Sequence, residues 1–172
     1  MSVALVGSNL LTFFGIWRNL LAFVEPVFSL GKPAVIKVMP NSSSSVGIEV
    51  KGSFVDNIYY HQPVYIEMPV TSEKYIIRAK AYISDGKVNY PVKIANNSNW
   101  VAGNDDCYYL SSLALGGENI SLANGVILPK FNNKQESTYT LIISIESLHE
   151  DTDYENIWTL PDNFNLVQVV QD

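Results

Sequence analysis

The chain has one cysteine, Cys107, in 172 residues, so no disulfide can close within it. Charge is scarce too. Asp, Glu, Lys and Arg make up 16% of the residues, against roughly a quarter in ordinary soluble domains. The 11 Lys and Arg residues are scattered and the net charge is −6. Without a basic footprint to neutralise phosphates, specific nucleic-acid binding is not expected. No nucleophile elbow, His-Glu-x-x-His pair, paired Cys-x-x-Cys or glycine-rich phosphate loop occurs. His61 and His149 stand alone beside turn-like stretches, and Cys107 in "DDCYYL" reads as a small buried side chain rather than a nucleophile. Neither an enzymatic activity nor a cofactor is expected. No unit of 20–50 residues repeats, which excludes solenoids and propellers.

What is present is apolar or polar without charge. Hydrophobic residues make up 47% and aromatics 12%, which excludes global disorder. A chain of 172 residues fits one domain able to bury a core without staples. Asn, Ser and Thr number 39 against 28 charged residues. Such a surface suits a protein packed among copies of itself, or one exposed outside a cell.

The chain divides at about residue 30. Residues 1–30 form an apolar arm and 31–172 a β body. In the arm, Ser8 or Asn9 caps a helix beginning at Leu10, and Pro26 stops it. Leu10, Phe13, Phe14, Trp17, Leu21 and Val24 recur at helical spacing and form one apolar face. Arg18 lies on the narrower polar stripe with Thr12, Gly15, Asn19 and Ala22. Arg18 and Asn19 interrupt the segment near its middle, so it is a poor bilayer span, for which about 20 apolar residues are needed. It is also a poor signal peptide, with no basic start and no small-residue cleavage site. An amphipathic helix remains, whose dock is its own sandwich, a neighbouring subunit or a membrane surface.

From residue 33 the period changes to two. Val46, Ile48, Val50 and Phe54 mark one strand, and Tyr75, Ile77, Ala79, Ala81 and Ile83 mark another. Asp85-Gly86 supplies a hairpin turn to a return strand through Val88, Tyr90, Val92 and Ile94, placed at an edge by Pro91. Asn124-Gly125 reads as a second hairpin turn, and "PNSSSSVG", residues 40–47, as a surface loop. Further strands are expected at 34–39, 64–68, 138–147 and 164–170, while "CYYLSSLAL" stays open between strand and short helix. Eight or nine short strands with turns between them predict an all-β antiparallel sandwich, a single jelly roll of about eight strands.

Three asparagines, Asn41, Asn96 and Asn119, open Asn-x-Ser sequons and are candidate glycosylation sites. In "HEDTDYEN", residues 149–156, Asp151, Asp153 and Glu155 alternate and offer hard oxygen ligands to Ca²⁺, though without the glycine and spacing of an EF-hand. Loop aromatics such as Trp100, Tyr108 and Trp158 are candidates for stacking on sugar faces, and the tyrosines of "NIYYHQPVYIE", residues 57–67, suit sugar contact, a sandwich core or a subunit interface equally.

The apolar leader "LLTFFGIWRNLLAF", ahead of alternating strands such as "VGIEVKGSFV" and "KYIIRAKAYIS", resembles the single jelly-roll capsid proteins of icosahedral viruses. The Ile-, Tyr- and Asn-rich, Cys-poor composition also resembles structural proteins of viruses of thermophilic archaea. The resemblance implies a self-assembling subunit located in the virion. Its β body would tile a shell with copies of itself and other shell proteins, and its arm would reach a neighbour or an internal membrane. The missing basic arm departs from capsid proteins that line a genome. Two alternatives stand beside this expectation. One is an extracellular or membrane-tethered module binding carbohydrate or serving adhesion; the other is a filament subunit that donates the terminal strand "FNLVQVV".

Overall fold

The computed structural model describes residues 33–54, 56–96, 98–131 and 136–167. The arm, with its expected helix and docking residues Leu10, Phe13, Phe14, Trp17, Arg18, Leu21 and Val24, lies outside them.

Among the described residues the chain is all-β. Its strands are β1 (Ala34–Lys37), β2 (Ser43–Gly52), β3 (Ile58–Glu67), β4 (Lys74–Ser84), β5 (Asn89–Pro91) and β6 (Lys93–Asn96). They continue with β7 (Trp100–Ala102), β8 (Cys107–Leu110), β9 (Ala114–Leu115), β10 (Asn119–Leu128) and β11 (Ser137–His149). One sheet has the order β1-β3-β10-β6, and the other β2-β11-β4-β8-β7, with β5 and β9 also paired to β4. Paired strands run antiparallel, except that β1 lies parallel to β3.

The two sheets form a sandwich because period-two alternation sends one row of each strand inward. Val46, Ile48 and Val50 of β2, Tyr75, Ile77 and Ile83 of β4, and Leu141, Ile143 and Ile145 of β11 meet Ile36, Val64, Ile66, Leu122 and Val126 of the opposite sheet. Each such aliphatic side chain, fully buried, contributes about 1.5–3 kcal/mol. Aromatic rings close one end of this core: Phe131 stacks on Tyr139 at 4.6 Å, and Phe54 and Tyr90 pack around them.

Asp85-Gly86 turns as expected. Gly86 has φ +88°, a conformation glycine adopts without strain, and Asp85 Oδ1 accepts the amides of Lys87 and Val88, each at 2.8 Å. The return strand then splits at Val92. β5 stays on β4, and β6 crosses to the other sheet.

Three expectations are corrected and one open reading is settled. Asn124-Gly125 is no hairpin: both lie inside β10, at register shifts between Ser121 and Gly125. The glycine is there for close approach, since a Cβ on it would sit 2.6 Å from the Tyr59 ring. Ser43–Ser45 are not loop but the start of β2, paired with Glu146, Ile145 and Ser144 of β11. "CYYLSSLAL" resolves into β8 and β9. No strand covers 164–167, where Val167 makes only an isolated bridge to Ser112; residues 168–170 lie outside the described set. Phe164 and Leu166 are instead drawn against a second apolar cluster, so packing overrides strand propensity there.

Candidate functional site

The functional surfaces follow from what each sheet turns outward. On β4, Ile76, Arg78, Lys80 and Tyr82 alternate with the core row and face away from the sandwich. After β11 the chain passes through a short 3₁₀ turn at Tyr154–Asn156. It then packs Trp158, Leu160, Phe164 and Leu166 on Ile76, Cys107, Tyr109 and Leu113. Tyr109 meets the rings of Trp158 and Phe164 at 6.0 and 5.7 Å.

Arg78 anchors this covered half. Its Nη2 lies 2.5 Å from Glu146 Oε2, its Nε donates to the same oxygen at 2.7 Å, and its Cζ sits 4.7 Å above the Trp158 ring. Its Nη1 is 3.7 Å from Asp105 Oδ2. Asp105 accepts the Tyr109 hydroxyl on Oδ2 at 2.7 Å and the Cys107 amide on Oδ1 at 3.1 Å. Burial opposes ionisation of Asp105, yet these hydrogen bonds outweigh it and hold the carboxyl below its ordinary value. Burial pushes the Cys107 thiol up to about 12, so it is neither thiolate nor nucleophile at neutral pH. Tyr109 is likewise pushed up, by burial first and by its bond to Asp105 second. The arrangement clamps a segment and has no group poised to react.

The other half of the same face is different. Gly47 of β2, Ile142 of β11, Tyr82 of β4 and Pro91 of β5 stand opposite one another in register, one row across four strands. Ile142 is 1% exposed, Tyr82 4% and Ser144 2%, although all three point away from the inter-sheet core. None belongs to that core or to the cluster around Trp158. Beside the row lies a hollow of about 230 Å³ lined by Lys80, Tyr82, Asn89, Pro91 and Asp106.

The four-stranded sheet turns an open apolar face outward. Val35 is 46% exposed, Tyr59 53% and Ile127 38%. Val35 stands beside Tyr65, and Tyr59 between Ile127 and the flat surface of Gly125. His61 sits on this face in mid-strand rather than beside a turn. Charges keep to the ends: Lys37 pairs with Glu67 at 3.7 Å, and Lys93 stands opposite Ile127.

The structure places the other sequence candidates apart. Asp151, Asp153 and Glu155 are exposed around the 3₁₀ turn. Asp151 Oδ2 lies 3.5 Å from His149 Nδ1, and Asp153 Oδ2 accepts from Asn156 at 2.6 Å. Among the described residues no three His, Cys, Asp or Glu side chains are grouped to hold a metal ion. Asn41, at φ +48°, accepts the His149 amide at 2.8 Å. Asn119 is exposed at the start of β10, and Asn96 ends β6. The supposed loop aromatics form no platform. Trp100 and Trp158 are buried and Tyr108 half-buried; Trp100 Nε1 donates to the Ser121 carbonyl at 3.0 Å, and the Tyr108 hydroxyl accepts the Ile94 amide.

Sequence reasoning passed over Val35 and Ile127 on one face and Tyr82 and Ile142 on the other, and left the tyrosines of 57–67, Tyr59 among them, open between sugar contact, core and subunit interface. Two signals were available. "NIYYHQPVYI", residues 57–66, carries no charge on either face, and "LIISI", residues 141–145, is apolar without alternation. Continuous apolar runs belong to strands covered on both sides. No family model, no curated protein and no solved structure matches this chain.

Proposed function

We propose that the protein is a structural, self-assembling shell subunit: a viral capsid protein, built as a single jelly roll and working in the virion among copies of itself and other shell proteins. The observation that carries this reading is the open face of the four-stranded sheet, where Val35, Tyr59 and Ile127 are 46%, 53% and 38% exposed, Val35 beside Tyr65 toward one end, Tyr59 beside Ile127 toward the other, and Lys93 at the β6 edge. Large apolar side chains exposed on one face and bordered by charge fit a protein interface. The uncharged Asn/Ser surface and the apolar stripe of the arm add to it. The arm supplies a second contact, with a neighbouring subunit or an internal membrane.

Strand order supports the jelly-roll part. From β1 to β4 successive strands alternate between the sheets, and β11 returns between β2 and β4, as interlocked Greek keys require. There is one departure. β1 and β3 are directly paired parallel neighbours in an otherwise antiparallel sheet, whereas a jelly roll sets a strand of opposite direction between them.

The test is the size of purified full-length protein, by light scattering and electron microscopy, beside the double variant Val35→Lys/Tyr59→Arg. Regular particles from the native chain, lost in the variant while circular dichroism stays β-rich, are expected. Monomers from both chains would remove the shell reading.

A further inference from the structure

The buried part of the row, Gly47–Ile142–Tyr82, needs a cover, whereas Pro91 at its β5 end is exposed. On a single uncovered layer two neighbouring side chains cannot both be hidden, because whichever lies on top remains in water. Yet Ile142 and Tyr82, directly opposite each other, are 1% and 4% exposed, and Ser144 one pleat along is 2% exposed. The segment after β11 is accounted for on the other half of the face, around Trp158. We propose that, in the free subunit, the buried part of this row is the dock of the chain's own N-terminal segment, with the stripe Leu10, Phe13, Phe14, Trp17, Leu21 and Val24 lying across β2, β11 and β4. The proposal builds on the reading of a shell subunit with an arm, and says where that arm rests before it engages a neighbour or a membrane.

Reach and size fit. The segment ends at residue 32, β1 begins at Ala34, and β1 packs beside β2, the edge strand of the seven-stranded sheet. Ile142 lies one strand further in, ~5 Å away across the ladder. Residues 25–32, extended, span up to ~26 Å, ample for the chain to turn onto the face. A helix over residues 10–24 would be ~22 Å long, and the four strands of the row are ~15 Å across. Gly47 leaves a flat, side-chain-free place at the β2 end where an aromatic ring can settle, and Tyr82 and Ile142 supply apolar floor. Burial pushes the Tyr82 hydroxyl well above its ordinary pKa, in keeping with a site from which water is excluded.

The experiment uses the full chain with a photoreactive benzoyl-phenylalanine in place of Trp17, in an equal mixture of isotopically light and heavy protein. After irradiation and digestion, cross-links from residue 17 are mapped by mass spectrometry. Links to 138–149, 74–84 or 43–52, confined to light–light and heavy–heavy pairs, are expected. Links elsewhere, no links, or statistically mixed light–heavy pairs would overturn the proposal. Ile142→Glu in the same chain should cut the cross-link at least tenfold, and Gly47→Glu on the edge strand gives the same readout should that variant misfold. Unchanged yield in a folded variant counts against the dock. Light scattering of the same samples separates the two readings. The cross-link is read on free subunits separated from particles by size-exclusion chromatography: particles built from subunits that give no such link leave the shell standing and remove the dock, and the link without particles does the reverse.

Discussion

Arg78 shows how one residue holds an entire segment in place. Its side chain is 12% exposed and that of Glu146 17%, so removing either partner strands a charge that water cannot reach. Arg78→Met is expected to lower stability by about 3 kcal/mol in urea unfolding at pH 7. Arg78→Met/Glu146→Leu should cost less than the sum of its single changes, because Glu146 is no longer stranded, while Asp105 keeps the hydrogen bonds from Tyr109 and the Cys107 amide. Asp105 sets the acid limb of stability. Its carboxyl is held below the ordinary value of 3.8, which it keeps in the unfolded chain, despite burial. A lowered folded value means the unfolded chain binds the proton more tightly. The contribution of Asp105 is therefore complete above about pH 4 and lost as the pH falls through its lowered value. Asp105→Asn should flatten the fall of unfolding free energy between about pH 5 and 2. An equally steep acid limb in that variant would show that Asp105 is not its source.

Among the elements, β4 and β11 depart from simple alternation because each is central in its sheet and meets an apolar surface on both sides. "YIIRAKAYIS" and "TLIISI" are near-continuous apolar runs for that reason, interrupted on the outer face by Arg78, Lys80 and Ser144. The period-two reading still placed both strands correctly, since the inner rows are regular. Turn chemistry was decisive at Asp85-Gly86 and misleading at Asn124-Gly125. At the first, glycine is needed for its positive φ; at the second, for the space a Cβ would take from Tyr59 and the Tyr60 carbonyl, both 2.6 Å away. The two sites should respond differently to alanine. Gly86→Ala, with open space around it, should cost about 1 kcal/mol from backbone strain alone. Gly125→Ala should cost about 1–3 kcal/mol from overpacking, part of it recovered by Tyr59→Ala in the same chain. Recovery at Gly86 by that second change, or none at Gly125, would refute the distinction.

For the whole molecule, two layers and one covering segment make up the described fold. Trp158 is the anchor of that cover: it is buried, beside Tyr109 and under Arg78. Trp158→Ala should cost about 3–5 kcal/mol and free 157–167 to proteolysis while the inter-sheet core stays folded. Equal protease resistance would mean that other contacts hold the segment. The open face around Tyr59 belongs to the scale above the single chain. Trp17→Asp tests the arm at that same scale: loss of particles with unchanged circular dichroism is expected, and unchanged particle size would exclude the arm from assembly.

Alternation, turn residues and the scarcity of charge were enough to specify strands, an all-β sandwich and the inward rows, because burial of one face leaves a local, period-two trace in the chain. The expected helix over the arm carries an equally local trace, and it lies outside the described residues. Which strand pairs with which was decided only in three dimensions, since a strand carries no mark of its neighbours; the parallel β1–β3 pairing is the clearest case. Tertiary packing alone turned 164–167 into a cover and hid Trp100 and Trp158. It also gathered Arg78, Asp105 and Glu146 from distant points of the chain. Side-chain chemistry is written locally, whereas the partner each group meets depends on where the rest of the chain must go to bury its own apolar surface.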